Sequence, residues 1–234
     1  MKLPERILRL STHFQPKSLS SKLHNRQYVD FRKQLEKGSA LDSSTHAVKL
    51  LYDEEYRDEL ARSPQFPLQE VISNFPLRDL AIDIGSGSGW ISYLLSRHFD
   101  RVISIEPSSN AIAIAKDHFL APSFGRIEWR CDYAEKQLHN LDSNVPILVT
   151  SSVVLSHLRD DAAKKVLAAL DENSLEGSQF LLTEAWGDDV MKPMWRVRTR
   201  DWWRASLPNC QIDFFGPNSV GRKNEHLGLL AIRN

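Results

Sequence analysis

Asp83-Ile84-Gly85-Ser86-Gly87-Ser88-Gly89-Trp90 is the segment of this sequence best suited to chemistry. The apolar run Leu80–Ile84 leads into it and the helical pattern of Trp90–His98 leads out, so a strand turns through glycines into a helix. Such a turn lets main-chain N–H groups and a helix N-terminus approach a ligand closely. Dinucleotide sites space their glycines G-x-G-x-x-G. Here Gly85, Gly87 and Gly89 give G-x-G-x-G, and Trp90 stands where the third dinucleotide glycine would be, which argues against a nicotinamide or flavin. Glu106 ends the next apolar run, 21 residues after Gly85. An acidic side chain there can accept two hydrogen bonds from a ribose diol. Further on, His157 offers an imidazole whose ordinary pKa suits a general base near neutrality. These residues suit a ribose-bearing ligand with a proton acceptor beside it.

The elements that must position them follow from the pattern of the chain. Leu80–Ile84, Arg101–Glu106, Ile127–Arg130, Pro146–Ser151 and Gln179–Ala185 read as strands, with two more near 211–215 and 226–232. Helices are expected at 68–74, Trp90–His98, Ser109–Leu120 with Ser108 or Ser109 as N-cap, Asp160–Leu170 capped by its own aspartates, and 200–206. Strands alternating with helices at this spacing predict an α/β fold: a doubly wound, mostly parallel seven-stranded sheet covered on both faces. The final two strands are joined by about ten residues, too few for a parallel crossover of a dozen or more, so the last strand is expected to be antiparallel. Residues 1–63 read as a polar, helical extension, with helices near 23–36 and 45–61, and 64–234 as the α/β domain.

The segment Asp83–Gly89 resembles motif I, [DE]-x-G-x-G-x-G, of the class I (Rossmann-like) S-adenosylmethionine-dependent methyltransferases. The similarity runs over roughly Leu80–Asn234 and leaves residues 1–63 outside the shared core. It implies S-adenosylmethionine as cofactor and S-adenosylhomocysteine as product. It further implies a cofactor site made of Asp83, Gly85, Ser86, Gly87, Gly89, Trp90, Glu106, Pro107, Asp132, Tyr133, Ser151 and Ser152. In this family the Glu106 position binds the ribose hydroxyls. Asp132 takes the adenine amino group with Tyr133 beside the ring, Ser151 and Ser152 line the methionine end, and Asp83 lies near the cofactor's amino group. Each match has a structural alternative, since glycines make turns and acids after strands cap helices; the shared register of the set favours the cofactor.

Ser151–Leu158 looks like the family's common L-E-H-L segment, with Ser156 in place of the usual glutamate. His157 is the candidate base; its alternative role is to pack beneath the cofactor loop. A [DN]-P-P-[FYW] sequence after the fourth strand, common in enzymes acting on exocyclic base nitrogens, is absent, as is the cysteine that cytosine-C5 enzymes need there. The acidic cluster of metal-dependent catechol enzymes is also missing, so no metal is expected. Elimination leaves an oxygen acceptor. Trp186, Trp195, Trp202 and Trp203 alternate with Arg196, Arg198, Arg200 and Arg204. Aromatic faces beside guanidinium forks suit a small molecule, sugar or glycan terminus that carries an anionic group. Trp186, Trp195, Arg196, Arg198 and, from the extension, Tyr52 are the candidate acceptor contacts; the alternative is tryptophans in the core and arginines in water.

Composition sets the outer bounds. Hydrophobic residues make up 41% and charged residues 26%, and 30 basic residues balance 30 acidic ones, so no overall field would draw the chain onto duplex nucleic acid. Cys131 and Cys210 are too few for a structural zinc site or a disulfide scaffold and read as reduced thiols of a cytoplasmic enzyme. No apolar run reaches the ~18 residues of a membrane span. Residues 1–29 carry six basic side chains against Glu5 alone, as a capping helix, a transit segment or a membrane-surface helix would. Two other functions remain open: methylation of RNA, which aromatic-plus-arginine surfaces also bind, and a non-catalytic partner subunit that keeps the fold.

Overall fold

The computed structural model describes residues 54–62, 66–119, 126–141, 143–184, 198–215 and 227–234. In chain order these form α1 (Glu54–Ala61), α2 (Leu68–Asn74), β1 (Leu80–Ile84), α3 (Trp90–Ser96), β2 (Arg101–Ile105), α4 (Ser109–His118), β3 (Ile127–Arg130) and α5 (Ala134–His139). There follow β4 (Leu148–Ser152), a 3₁₀ turn (Leu155–His157), α6 (Asp160–Asn173), β5 (Gln179–Glu184), α7 (Arg200–Ser206), β6 (Cys210–Phe215) and β7 (Leu227–Arg233).

The seven strands make one sheet in the order β3-β2-β1-β4-β5-β7-β6. β1, β2, β3, β4 and β5 are mutually parallel, while β7 runs antiparallel to both β5 and β6. This is the expected doubly wound fold with an antiparallel last strand. The order reverses between β2-β1 and β4, so the carboxyl ends of β1 and β4 flank the crevice where open α/β sheets take their ligands.

β1 is buried at all five positions because both faces of the sheet are covered. Ala81 points into one core, shared with Phe66, Leu68, Ile72 and Phe75 from the α2 region and Ile91, Leu94 and Leu95 of α3. Leu80, Ile82 and Ile84 point into the other, shared with Leu138 of α5, Val166, Leu167 and Leu170 of α6, and Trp203 of α7. Ala61 of α1 joins the first core at 1% exposure, so the end of the amino-terminal extension packs continuously with the domain.

Ser108 caps α4 by accepting the Ala111 N–H at 3.2 Å, as its sequence position predicts. α6 differs: Arg159 is its N-cap and no side chain caps it, so Asp160 and Asp161 act within the first turn, where their charge meets the helix dipole. α5 has no counterpart in the sequence reading; it has six residues and buries Leu138 alone, too little for a periodic signal. The expected helix at 23–36 lies outside the described residues, and of that at 45–61 only Glu54–Ala61 is described. Among the described residues no helix is long and apolar enough to cross a membrane.

Candidate active site

The glycine loop leaves β1 with three left-handed residues: Gly85 at φ 66°, Gly87 at 52° and Gly89 at 83°. A side chain is strained at each of them. A Cβ on Gly85 would also collide with the Val154 methyls. One on Gly89 would sit 2.6 Å from Ala115 Cβ and 2.8 Å from Trp129 Cη2, so this glycine serves close packing of α4 and β3. Between Gly85 and Gly87, Ser86 is 6% exposed and its hydroxyl has no hydrogen-bond partner in the structure. A buried, unpartnered hydroxyl in a ring of left-handed glycines is what a bound polar group would satisfy.

Glu106 follows β2 and is 4% exposed. Its Oε2 accepts the Gly87 N–H at 3.0 Å and its Oε1 the Ser108 N–H at 2.8 Å. Both oxygens are thus engaged by main-chain N–H groups, and a carboxylate offers about four acceptor sites in all. Pro107 is half-buried and its carbonyl faces the Cys131 thiol at 3.9 Å. Asp132, after β3, accepts from the Tyr133 N–H at 2.8 Å, Lys136 Nζ at 3.2 Å and Gln137 Nε2 at 3.2 Å. The Tyr133 N–H, ahead of Lys136 and Gln137, holds its carboxyl below the usual range, so it is a standing anion at the end of β3. Tyr133 presents its ring to Lys136 Nζ at 5.8 Å.

Asp83 lies one layer deeper than the other acids. It is 1% exposed, and its carboxylate accepts from Ser92 Oγ at 2.6 Å and Thr150 Oγ1 at 3.1 Å. Burial pushes its pKa up to about 6, with the Ser92 and Thr150 hydroxyls pulling the other way. Asp83 therefore braces α3 and β4 under the loop. Trp90 is likewise drawn inward: it is 7% exposed and its ring lies 5.7 Å from that of Phe66. Trp90 opens α3, and its indole fills the first core rather than lining the crevice.

The segment after β4 is held in an unusual shape. Val153 has φ 61°, a left-handed conformation costly for a β-branched residue. Glu184, at the end of β5 and 1% exposed, receives Ser151 Oγ at 2.9 Å and the N–H groups of Val154 and Leu155, each at 3.0 Å. It also receives the Ser156 N–H at 2.9 Å and Ser156 Oγ at 2.8 Å. Burial pushes this carboxyl up, against the pull of the Ser156 and Leu155 N–H groups. Ser151 thus spends its hydroxyl inside the protein, whereas Ser152 is half-buried at the carboxyl end of β4. His157 ends the 3₁₀ turn and is exposed, not packed beneath the glycine loop.

Arg198 corrects its expected place in an acceptor pocket. It is 4% exposed, Nη1 donates to the Leu155 carbonyl at 2.7 Å, Nη2 to the Leu158 carbonyl at 2.8 Å, and Nε to Asp160 Oδ1 at 3.1 Å. Its guanidinium also lies 4.5 Å over the Trp202 ring, while Trp203 is wholly buried. A guanidinium committed in this way organises the protein. The other candidate acceptor contacts, Tyr52, Trp186, Trp195 and Arg196, lie outside the described residues. The sequence sets Glu184 only at the head of the tryptophan- and arginine-rich stretch expected to line the acceptor pocket, because its actual partners lie 28 to 33 positions earlier in the chain. Its one local signal is an acid ending an apolar strand.

Gly85, Ser86, Gly87, Glu106, Asp132, Tyr133 and Ser152 thus stand at or just after the carboxyl ends of the neighbouring parallel strands β1, β2, β3 and β4, and His157 lies five residues beyond β4. Residues 81–173 match the family model of a methyltransferase domain. Over 59 residues the chain is 42% identical to a candidate methyltransferase of Dictyostelium discoideum, a match covering 25% of this chain and 20% of that protein. Among solved structures, magnesium protoporphyrin IX methyltransferase of Synechocystis with bound S-adenosylmethionine is similar at TM-score 0.63 and 16% identity, over 94% of this chain and 98% of that one. The amino pentose methyltransferase CalS10 of Micromonospora echinaspora, also bound to S-adenosylmethionine, is similar at TM-score 0.55 and 14% identity, over 80% and 95%. The N-methyltransferase NodS of Bradyrhizobium japonicum, in complex with S-adenosylhomocysteine, is similar at 0.56 and 16%, over 86% and 97%. These likenesses establish the fold, and the domain match marks residues 81–173 as a methyltransferase domain. The fold around that domain is that of the class I, Rossmann-like S-adenosylmethionine-dependent methyltransferases.

Proposed function

We propose that this protein binds S-adenosylmethionine over Gly85–Gly89 and methylates an oxygen of a small molecule, or of a sugar or glycan terminus carrying an anionic group. The observation that carries the cofactor reading is the buried, unpartnered Ser86 hydroxyl inside three left-handed glycines, with Glu106 tied to the same loop. When bound, the cofactor supplies a methyl group activated on a sulfonium, so orientation dominates catalysis. Glu106 would take the ribose hydroxyls on its carboxylate oxygens. Asp132 and Tyr133 would hold the adenine, and Ser86 and Ser152 the methionine end. His157, exposed at the end of the 3₁₀ turn that follows β4, would remove the proton of an acceptor hydroxyl.

Residues 1–63 would serve in this reading as a lid whose closure excludes water, with Tyr52 as an acceptor contact. Trp186, Trp195 and Arg196 would meet the acceptor. The oxygen assignment rests on the missing sequence features of nitrogen- and carbon-directed enzymes. A sugar acceptor has a precedent on this fold in the amino pentose methyltransferase.

The test combines calorimetric titration of the full chain with S-adenosylmethionine and incubation with methyl-labelled cofactor and fractionated cell extract. Micromolar binding and label entering a small-molecule or glycan fraction are expected. Absence of cofactor binding rejects the cofactor site, and label confined to RNA rejects the acceptor class.

A further inference from the structure

The 3₁₀ turn that presents His157 is gripped at both ends by opposite buried charges. At its start, three successive N–H groups, those of Val154, Leu155 and Ser156, converge on the Glu184 carboxylate at 2.9–3.0 Å, joined by the Ser156 and Ser151 hydroxyls. At its end, the Leu155 and Leu158 carbonyls accept from Arg198 Nη1 and Nη2 at 2.7 and 2.8 Å. Main-chain N–H groups at the start of a turn carry partial positive charge and carbonyls at its end partial negative charge. An anion before the turn and a cation behind it therefore both stabilise it. Neither side chain is local: Glu184 comes from the end of β5 and Arg198 from just before α7. Each buried charge is costly unless hydrogen-bonded, and here the turn supplies the bonds.

The grip also explains how Val153 stays left-handed. Its N–H donates to the Thr183 carbonyl at 2.8 Å, and the next three residues are bound by Glu184, so the strain is over-determined by its surroundings. The bend puts Val154 against Gly85, linking the His157 turn to the glycine loop. Ser156, which stands where the resembling segment carries glutamate, is the residue whose N–H and hydroxyl both meet Glu184; a glutamate there would set two carboxylates against each other.

The geometry points to Glu184 and Arg198 as a pair of positioning residues that fix the 153–158 turn and thereby aim His157 at the acceptor. This rests on the reading of His157 as the acceptor's base. It assigns to Glu184 and Arg198 a role in the reaction without contact to either reactant.

The test uses the full chain with Glu184→Gln and Arg198→Lys. The first keeps the shape but brings an NH₂ group against converging donors; the second keeps the charge but cannot span two carbonyls. Three quantities are read: S-adenosylmethionine affinity by calorimetry, kcat for transfer into the extract fraction that the wild type labels, and the His157 ring resonance in ¹³C-histidine-labelled protein, assigned by its loss in His157→Gln. Cofactor affinity within about threefold of wild type is expected, with kcat at least tenfold lower and a broadened or split His157 resonance. A folded Glu184→Gln variant with wild-type kcat and an unchanged resonance overturns the proposal. If Glu184→Gln does not fold, the same outcome in Arg198→Lys overturns it. If the wild type binds no S-adenosylmethionine, the cofactor reading fails, and the His157 resonance still decides whether the two charges hold the turn.

Discussion

Glu106 Oε2 accepts the Gly87 N–H at 3.0 Å, tying the end of β2 to the middle of the loop that follows β1. The bond joins two sheet positions that would enter any ligand contact together: the glycine loop is shaped by the carboxylate proposed to take the ribose hydroxyls.

Glu106→Ala should weaken S-adenosylmethionine binding by roughly 10- to 100-fold, because hydrogen bonds to a charged group are worth about 1.5–3 kcal/mol. Glu106→Gln, which keeps the acceptor oxygen, should lose less. Calorimetric titration checks both, and equal affinity in Glu106→Ala and wild type removes Glu106 from the site.

Gly89→Ala should lower the stability of the fold itself by about 1–3 kcal/mol, since the added methyl meets Ala115 and Trp129 at 2.6 and 2.8 Å and φ is 83°. Urea unfolding without cofactor measures it; an unchanged midpoint would show that the contact relaxes at little cost.

Asp83 makes stability depend on pH in a stated direction. Its folded pKa of about 6 lies above the unfolded value near 3.8, so the native state holds the extra proton between the two. Its contribution is therefore most favourable below the unfolded pKa and is lost as pH rises through about 6. The shift corresponds to about 3 kcal/mol at 1.36 kcal/mol per pKa unit. Asp83→Asn, with Ser92 reversing its hydroxyl to accept from the amide, should gain on wild type as pH rises from 4 to 7. Parallel urea-unfolding curves over that range test this, and a constant difference between the two proteins contradicts it.

His157→Ala should reduce kcat by about 10²–10⁴-fold while S-adenosylmethionine affinity stays within a few-fold, the span general-base catalysis covers. Turnover is measured on the acceptor fraction that takes up label. Wild-type kcat in the variant would leave His157 no part in proton removal.

Much of this architecture could be read from the chain because its signals are local. Leu80–Ile84, Ile127–Arg130 and the helices at 68–74 and 200–206 fall where apolar runs and their punctuation place them. The left-handed angles of Gly85, Gly87 and Gly89 follow from residue type, and Glu106 falls beside them because parallel β1 and β2 lie in register from Leu80↔Arg101 to Ile84↔Ile105. α5 escaped because one buried leucine in six residues sets no period.

Residue order alone, then, determined the strands, the covering helices and the glycine turn, since each depends on neighbours within a few positions. Which way Trp90 faces, that Asp83 is enclosed by Ser92 and Thr150, and that Arg198 serves the protein and not the crevice were decided only by the packed structure. The physical reason is burial. A buried polar group takes whatever partner the packing brings to it, and for Glu184 and Arg198 that partner is a turn some 30 to 40 residues earlier in the chain.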